Sequence, residues 1–266
     1  QTLLGAWPVE LLSGEFEPAA LADFTGRVVI YTIKAAREAK LHTSWTNADP
    51  DYEPALEEFV STLLDPRRSA TFLDGVRTAA RSVAASGLTN SLAQVVLKAT
   101  APGVPDTYQG AELWDLSLVD PDNRRPVDFE LRASALRSLD AAIETGTPRE
   151  AIARDLLGSW PDGRIKLYVL STLLRRRASA NWPPDAYTAI EASGARAAHV
   201  VAYRRASAIV VVPRLPRTLS GEQPPLGEVW GDTRLELDAA SSARQRDVLT
   251  DRIVTPEHRG EHMVLR

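Results

Sequence analysis

The 266-residue chain is 44% hydrophobic and balances 31 basic against 35 acidic residues, so it can bury a real core and offers no positive field for nucleic acid or anionic lipid. With no cysteine and four scattered histidines, neither a disulfide framework nor a metal site of thiolates or spaced histidines is expected. No stretch approaches the about 20 apolar residues of a membrane span and no signal peptide opens the chain, so the expectation is no membrane partner and a cytoplasmic location.

The chain opens on the apolar run Thr2 to Trp7 and closes on Met263 to Leu265, which reads as a strand still being paired, so both ends are read as cut. From Leu21 to Leu41 the residues Leu21, Phe24, Val28, Tyr31, Ala35 and Ala39 recur three or four apart. That spacing predicts an amphipathic helix with Arg27, Lys34 and Arg37 on its solvated face. The loop LHTSWTNADPDYE follows, then a helix from Tyr52 to Leu64 that stops before Pro66. Three to four further helices are predicted, among them Phe72 to Ala85 and Thr89 to Ala99, the latter with Thr89 or Asn90 as its N-cap.

After Pro102 the segment PGVPDTYQG is too short and too punctuated for a helix, and Val104 to Tyr108 reads as a single buried strand. Helix, short strand, polar loop and helix in succession is the rhythm of a β/α barrel, whose loops after each strand build the active face. The last strong helix is Arg164 to Ala178, its basic final turn complementing its own dipole. Beyond Asn181 the runs Ala197 to Tyr203, Ala208 to Pro213, Thr233 to Leu237 and Met263 to Leu265 alternate with Pro, Gly and Ser clusters and read as strands. The fold expectation is therefore α/β: residues 1–181 as the C-terminal part of a (β/α)8 barrel with mostly helical segments, and 182–266 as a small all-β sandwich domain.

The densest polar cluster runs from Tyr108 through Gln109, Glu112, Trp114, Asp115, Asp120, Asp122 and Asn123 to Arg124 and Arg125. Sugars present hydroxyl arrays around apolar C–H faces, and planar multi-donor groups beside aromatic rings are what such a surface requires. The same composition also fits a solvated loop held by Asx turns and ion pairs. Within DPDNRRP, Asp120 and Arg124 are expected to act as a unit in binding, with Asn123 and Arg125 as further candidates; the alternative is that one of the pair simply orients the other. Tyr108, Gln109 and Glu112, nearer the strand, read equally as hydrogen-bonded support. A second candidate region holds His42 and Trp45, where the indole either stacks on a pyranose ring or packs beneath the loop. Trp7, Trp182 and Trp230 read as packing residues.

The order and spacing of PGVPDTYQGAE and DPDNRRPVDF resemble the eighth barrel strand and following loop of α-amylase-type glycosidases and transglycosidases. With QTLLGAWP, REAKLHTSW, VVVPRLPR and PPLGEVWGDT added, nearly the whole chain is similar to the maltooligosyl trehalose synthase family. The resemblance implies an intramolecular transglycosidase in trehalose biosynthesis that converts the reducing-end α-1,4 bond of a maltooligosaccharide into an α-1,1 bond, with no cofactor. It implies a retaining double displacement by two carboxyls roughly 5–5.5 Å apart. The family carries its catalytic carboxylates after earlier barrel strands, one in a His-Asp-Thr-type motif that is absent here, and His42-Thr43-Ser44 is no substitute. No catalytic residue is therefore assigned within the chain, the missing N-terminal part of the same enzyme is its expected partner, and the fragment is expected to be inactive alone. The competing readings are a non-catalytic glucan-binding accessory module and another α-glucan hydrolase or transglycosidase.

Overall fold

The computed structural model describes residues 1–180, 182–183, 186–237, 243–259 and 262–265. The chain divides into two compact units, the first formed by Gln1–Val83 with Leu116–Pro126 and the second by Ala84–Asp115 with Val127–Arg266. The boundary expected at Asn181 falls outside the described residues.

In the first unit, a short helix α1 (Thr2–Ala6) precedes α2 (Pro18–Ala39), α3 (Tyr52–Leu63) and the first part of α4 (Ala70–Thr100). Helix α2 starts where Glu17 accepts hydrogen bonds from the N–H groups of Ala19 and Ala20 at 3.1 and 2.6 Å, with Pro18 at its first turn. It ends at Lys40, which adopts a left-handed φ of 55°. Its apolar stripe, Leu21, Phe24 and Val28, packs with Trp7, Leu11, Val60, Leu64 and Leu73. Phe24 and Leu11 are fully buried, each such side chain contributing about 2–3 kcal/mol through the water it escapes.

The sequence predicts two helices between Phe72 and Ala99, and the structure has one, α4, 31 residues long. The Ser86-Gly87-Leu88-Thr89-Asn90 stretch looks like an end followed by a cap. Instead, the Thr89 hydroxyl donates to the Ala85 carbonyl four residues back at 2.9 Å, so it serves the helix interior rather than opening a new helix.

The second unit continues with α5 (Phe129–Glu144), α6 (Arg149–Gly158) and α7 (Arg164–Ser179). Helix α7 buries Ile165, Leu167, Tyr168, Val169, Leu170 and Leu173 against Leu88, Val95 and Ala99 of α4 and against Leu139, Ile152 and Leu156. Its basic end does more than complement its own dipole. Arg175 forms a two-pronged pair with Asp140 at 2.6 and 2.8 Å, and Arg177 donates to the carbonyls of Ala99, in the last turn of α4, and of Ala101 and Gly103 just beyond it.

The strands form antiparallel pairs. A three-stranded sheet has the order β1 (Thr188–Ala189), β3 (Val200–Arg205), β4 (Ala208–Pro213), and a four-stranded one the order β2 (Ala192–Ser193), β5 (Arg234–Leu237), β9 (His262–Leu265), β8 (Glu257–Arg259). A two-stranded sheet joins β6 (Gln245–Arg246) to β7 (Ile253–Val254). The strand expected from Ala197 starts only at Val200, because Ala197–His199 is a 3-10 turn. Both larger sheets contribute to one apolar cluster, Ala202, Val200 and Ile209 meeting Leu235, Leu237 and Ala192. Arg205, buried at the end of β3, donates to the carbonyls of Thr100 and Ala101 at 2.7 and 2.5 Å.

The barrel expectation is corrected in one respect. Val104 to Tyr108 is not a strand, and Val104 is 99% exposed. A barrel strand needs parallel neighbours on both sides, and among the described residues every pairing is antiparallel and no barrel closes. Among the described residues, no helix is long and apolar enough to cross a membrane.

Candidate functional site

In the first unit the segment Leu116–Pro126 lies along α2, held by the residues that the sequence assigns to a solvated face. Arg27 Nε donates to Asp122 Oδ1 at 3.0 Å and Arg27 Nη2 to Oδ2 at 3.0 Å, while Nη2 also reaches the Leu116 carbonyl at 2.7 Å. The Leu118 N–H adds a bond to Asp122 Oδ2 at 2.6 Å, and Arg125 Nε lies 3.1 Å from Oδ1. Asp122 is thereby buried and fully engaged. Burial alone would push its carboxyl up, but the hydrogen bonds from Arg27 and Leu118 and the charges of Arg27 and Arg125 outweigh it and hold the group below its ordinary range.

Seven residues along α2, Lys34 Nζ donates to the Asp120 carbonyl and lies 3.8 Å from its Oδ2. A step of seven returns to nearly the same side of a helix, so Arg27 and Lys34 meet the two aspartates of one short segment. Asp120 Oδ1 also pairs with Arg124 Nε at 2.5 Å. Asp120 and Arg124, the two residues expected to work together, are thus ion-paired. Arg124, Asn123 and Arg125 are exposed, and Asp120 is half-buried between Lys34 and Arg124. The result is a half-exposed carboxylate and a guanidinium on a rigid buried footing.

The second sequence candidate, His42 with Trp45, lies in the same unit. Thr43 is buried, donates to Glu53 Oε1 at 2.5 Å and accepts from the Asp49 N–H at 3.1 Å. Arg37 clasps Glu53 at 2.8 and 2.6 Å. The Arg37 bond first, and the Thr43 bond second, lower the Glu53 carboxyl to about 2. The Arg37 guanidinium also sits 5.0 Å from the Trp45 ring centre. Trp45 is 58% exposed, which rules out the reading that it packs beneath the loop. His42 is exposed, its ring 5.0 Å from that of Tyr52.

Tyr108, Gln109 and Glu112 belong to the second unit. Tyr108 and Gln109 are exposed, whereas Glu112 accepts from Arg132 Nε at 2.9 Å. Arg132 also donates to the carbonyls of Gly110 and Asp128 at 2.9 and 3.0 Å, so Glu112 orients a clamp on the loop. Lys166 Nζ, on α7, donates to the Leu113 carbonyl at 3.0 Å, and burial lowers its pKa. Gly163 makes this packing possible: at φ 76° it has a left-handed backbone, and a Cβ there would stand 3.0 Å from the Trp114 backbone nitrogen.

Sequence reasoning missed Arg27, Lys34, Glu53, Lys166 and Arg132 as organisers of these segments. The seven-residue spacing of Arg27 and Lys34 was the available signal. Among the described residues, no cluster of three His, Cys, Asp or Glu side chains could hold a metal ion.

No protein-family model matches the chain. It is 38% identical over 211 residues to a curated Mycobacterium tuberculosis protein that carries the provisional name maltooligosyl trehalose synthase, a match over 79% of this chain and 23% of that protein. The maltooligosyltrehalose synthase structure from Arthrobacter ramosus matches 99% of this chain and 31% of its own, at 32% identity and a TM-score of 0.71. A crystal structure of a maltooligosyl trehalose synthase matches 99% of this chain and 32% of its own, at 26% identity and a TM-score of 0.65. The chain therefore spans about a quarter to a third of the length of these relatives.

Proposed function

We propose, from the premise that this chain belongs with the maltooligosyl trehalose synthases it matches along part of their length, that it is the acceptor-side portion of such an enzyme. The complete enzyme is a (1→4)-α-D-glucan 1-α-D-glucosylmutase: it opens the reducing-end α-1,4 bond of a maltooligosaccharide and rejoins the released glucose through an α-1,1 bond. Residues 1–181 are the last section of its (β/α)8 barrel, completed by strands from the rest of the protein, and 182–266 its β-sandwich. The carboxylates that break the bond lie outside this chain, so the chain alone is inactive.

In this reading the DPDNRRP segment holds the glucose that must turn round within the site. Asp120 accepts from a sugar hydroxyl and Arg124 presents a planar fork to neighbouring oxygens. The transglycosidase outcome requires the retained glucose, rather than water, to attack the glycosyl-enzyme intermediate, so positioning of this sugar and exclusion of water decide the product. Trp45, with one partner beneath it and its indole exposed, offers a stacking surface for another glucosyl ring, with His42 beside it.

The observation that carries the proposal is the Asp120–Arg124 pair, set half-exposed on the buried Arg27–Asp122 footing. The test is complementation. Mixing this chain with the separately produced remainder of the enzyme is expected to restore trehalose-end formation from maltopentaose, with neither part active alone. Activity of this chain alone, or glucose release without trehalose ends, would contradict it.

A further inference from the structure

In the second unit a cleft of about 460 Å³ is lined by β3, β4, β5 and the loop from Gly227 to Thr233. It is where two segments singled out in the sequence, VVVPRLPR and PPLGEVWGDT, come together, and the proposed transglycosylation uses neither. The apolar residues lining it are Val200, Val211, Val212, Pro213 and Leu235. Val211 is 45% exposed on β4, so the cleft is open on this side.

The sequence reading of Trp230 as a packing residue is incomplete, because its indole helps to line this cleft and is only partly buried. Its Nε1 donates to the Pro225 carbonyl at 2.8 Å, which fixes the plane of the ring before any ligand arrives. Thr233 and Arg234 supply the polar part of the lining. The Thr233 hydroxyl accepts from the Arg196 N–H at 3.0 Å, a bond that leaves its own proton to donate. Arg234 Nε donates to the Ser193 hydroxyl at 3.2 Å and lies 3.8 Å from Glu236, so the cleft presents no uncompensated positive charge to call for an anion.

A fixed indole, aliphatic walls and a hydroxyl and guanidinium at one end match a ring with apolar C–H faces and a hydroxylated edge. A purely apolar ligand would leave the Thr233 hydroxyl proton buried without an acceptor, at a cost of about 1–3 kcal/mol. We infer that this cleft binds a short stretch of α-1,4-linked glucosyl units, one pyranose face lying against Trp230. The choice of a glucan rests on the reading of the chain as part of a glucan-rearranging enzyme.

The experiment is affinity electrophoresis of the full-length enzyme through gels containing glycogen. Wild type, Trp230→Ala, Trp230→Phe and Val211→Trp are compared, with trehalose-end formation from maltopentaose measured in parallel. Val211→Trp fills the cleft from an exposed strand position and guards against a folding defect in Trp230→Ala. Glycogen is expected to retard wild type and Trp230→Phe, and either of the other variants is expected to lose at least tenfold in affinity while still forming trehalose ends. Retardation that survives Val211→Trp, or a wild type that glycogen does not retard, overturns the inference and leaves the transglycosidase reading standing. Cleft-dependent retardation in an enzyme that forms no trehalose ends supports the cleft and sinks that reading instead.

Discussion

Arg27 and Asp122, 95 residues apart in sequence, form a two-pronged buried ion pair, with both Nε and Nη2 of the guanidinium 3.0 Å from carboxylate oxygens. This joint fastens the DPDNRRP segment to α2. Removing Arg27 leaves Asp122 buried with only Arg125 and the Leu118 N–H, and removing Asp122 leaves Arg27 with only the Leu116 carbonyl, so Arg27→Ala or Asp122→Ala should each destabilise the first unit, by up to about 3 kcal/mol. The Arg27→Met/Asp122→Leu double variant should recover part of that loss, because no lone charge remains. Urea unfolding of the chain reads both effects, and single variants within about 0.5 kcal/mol of wild type would show that the joint contributes nothing.

Acid should loosen the same unit. Glu53 falls from an ordinary 4.5 to about 2 in the folded chain, and Asp122 is also depressed. A carboxyl with a depressed folded pKa stabilises the fold above its unfolded pKa, and that contribution is lost as pH falls through the folded value. Stability should therefore be level in these two groups above about pH 5 and decline between about pH 5 and 2. Glu53→Gln should flatten part of this decline in thermal melts taken across that range. A variant as acid-sensitive as wild type would mean that the Arg37–Glu53–Thr43 network adds no pH dependence.

Gly87 sits in the interior of α4, is exposed, and has nothing within 4 Å of where a Cβ would stand. Gly87→Ala should raise stability by about 0.5–1 kcal/mol by lowering the conformational freedom of the unfolded chain. A loss of stability would mean that the helix breaks here, as the sequence suggests.

What was legible in the sequence followed local periodicity. The stripe Leu21, Phe24, Val28 located α2, and the apolar runs Ala197–Tyr203 and Ala208–Pro213 located β3 and β4. Strands of two or three residues, such as Thr188–Ala189 and Gln245–Arg246, are too short to carry alternation and exist only through their partners. Periodicity also shows which face of a helix is charged but not what covers it, so Arg27, Lys34 and Arg37 read as solvated although each holds a distant segment. The Asp120–Arg124 pair was visible because its partners are four residues apart. Sequence reasoning assigns Asp122 no role of its own, and only the fold shows it buried as the anchor beneath the half-exposed Asp120. The Val104–Tyr108 stretch was rightly read as non-helical, but strand formation needs a ladder that this chain does not itself supply.

The central claim is that Asp120 and Arg124 hold the glucose that is turned round. It is tested most directly by the partition of products from maltopentaose, trehalose ends against free glucose, in the full-length enzyme carrying Asp120→Ala or Arg124→Ala. Both residues are at least partly exposed, so the variants should fold. The account predicts that each variant shifts the partition toward glucose by about tenfold, the loss of roughly 1.4 kcal/mol of acceptor positioning. An unchanged partition in both variants, with wild-type rates, would contradict it.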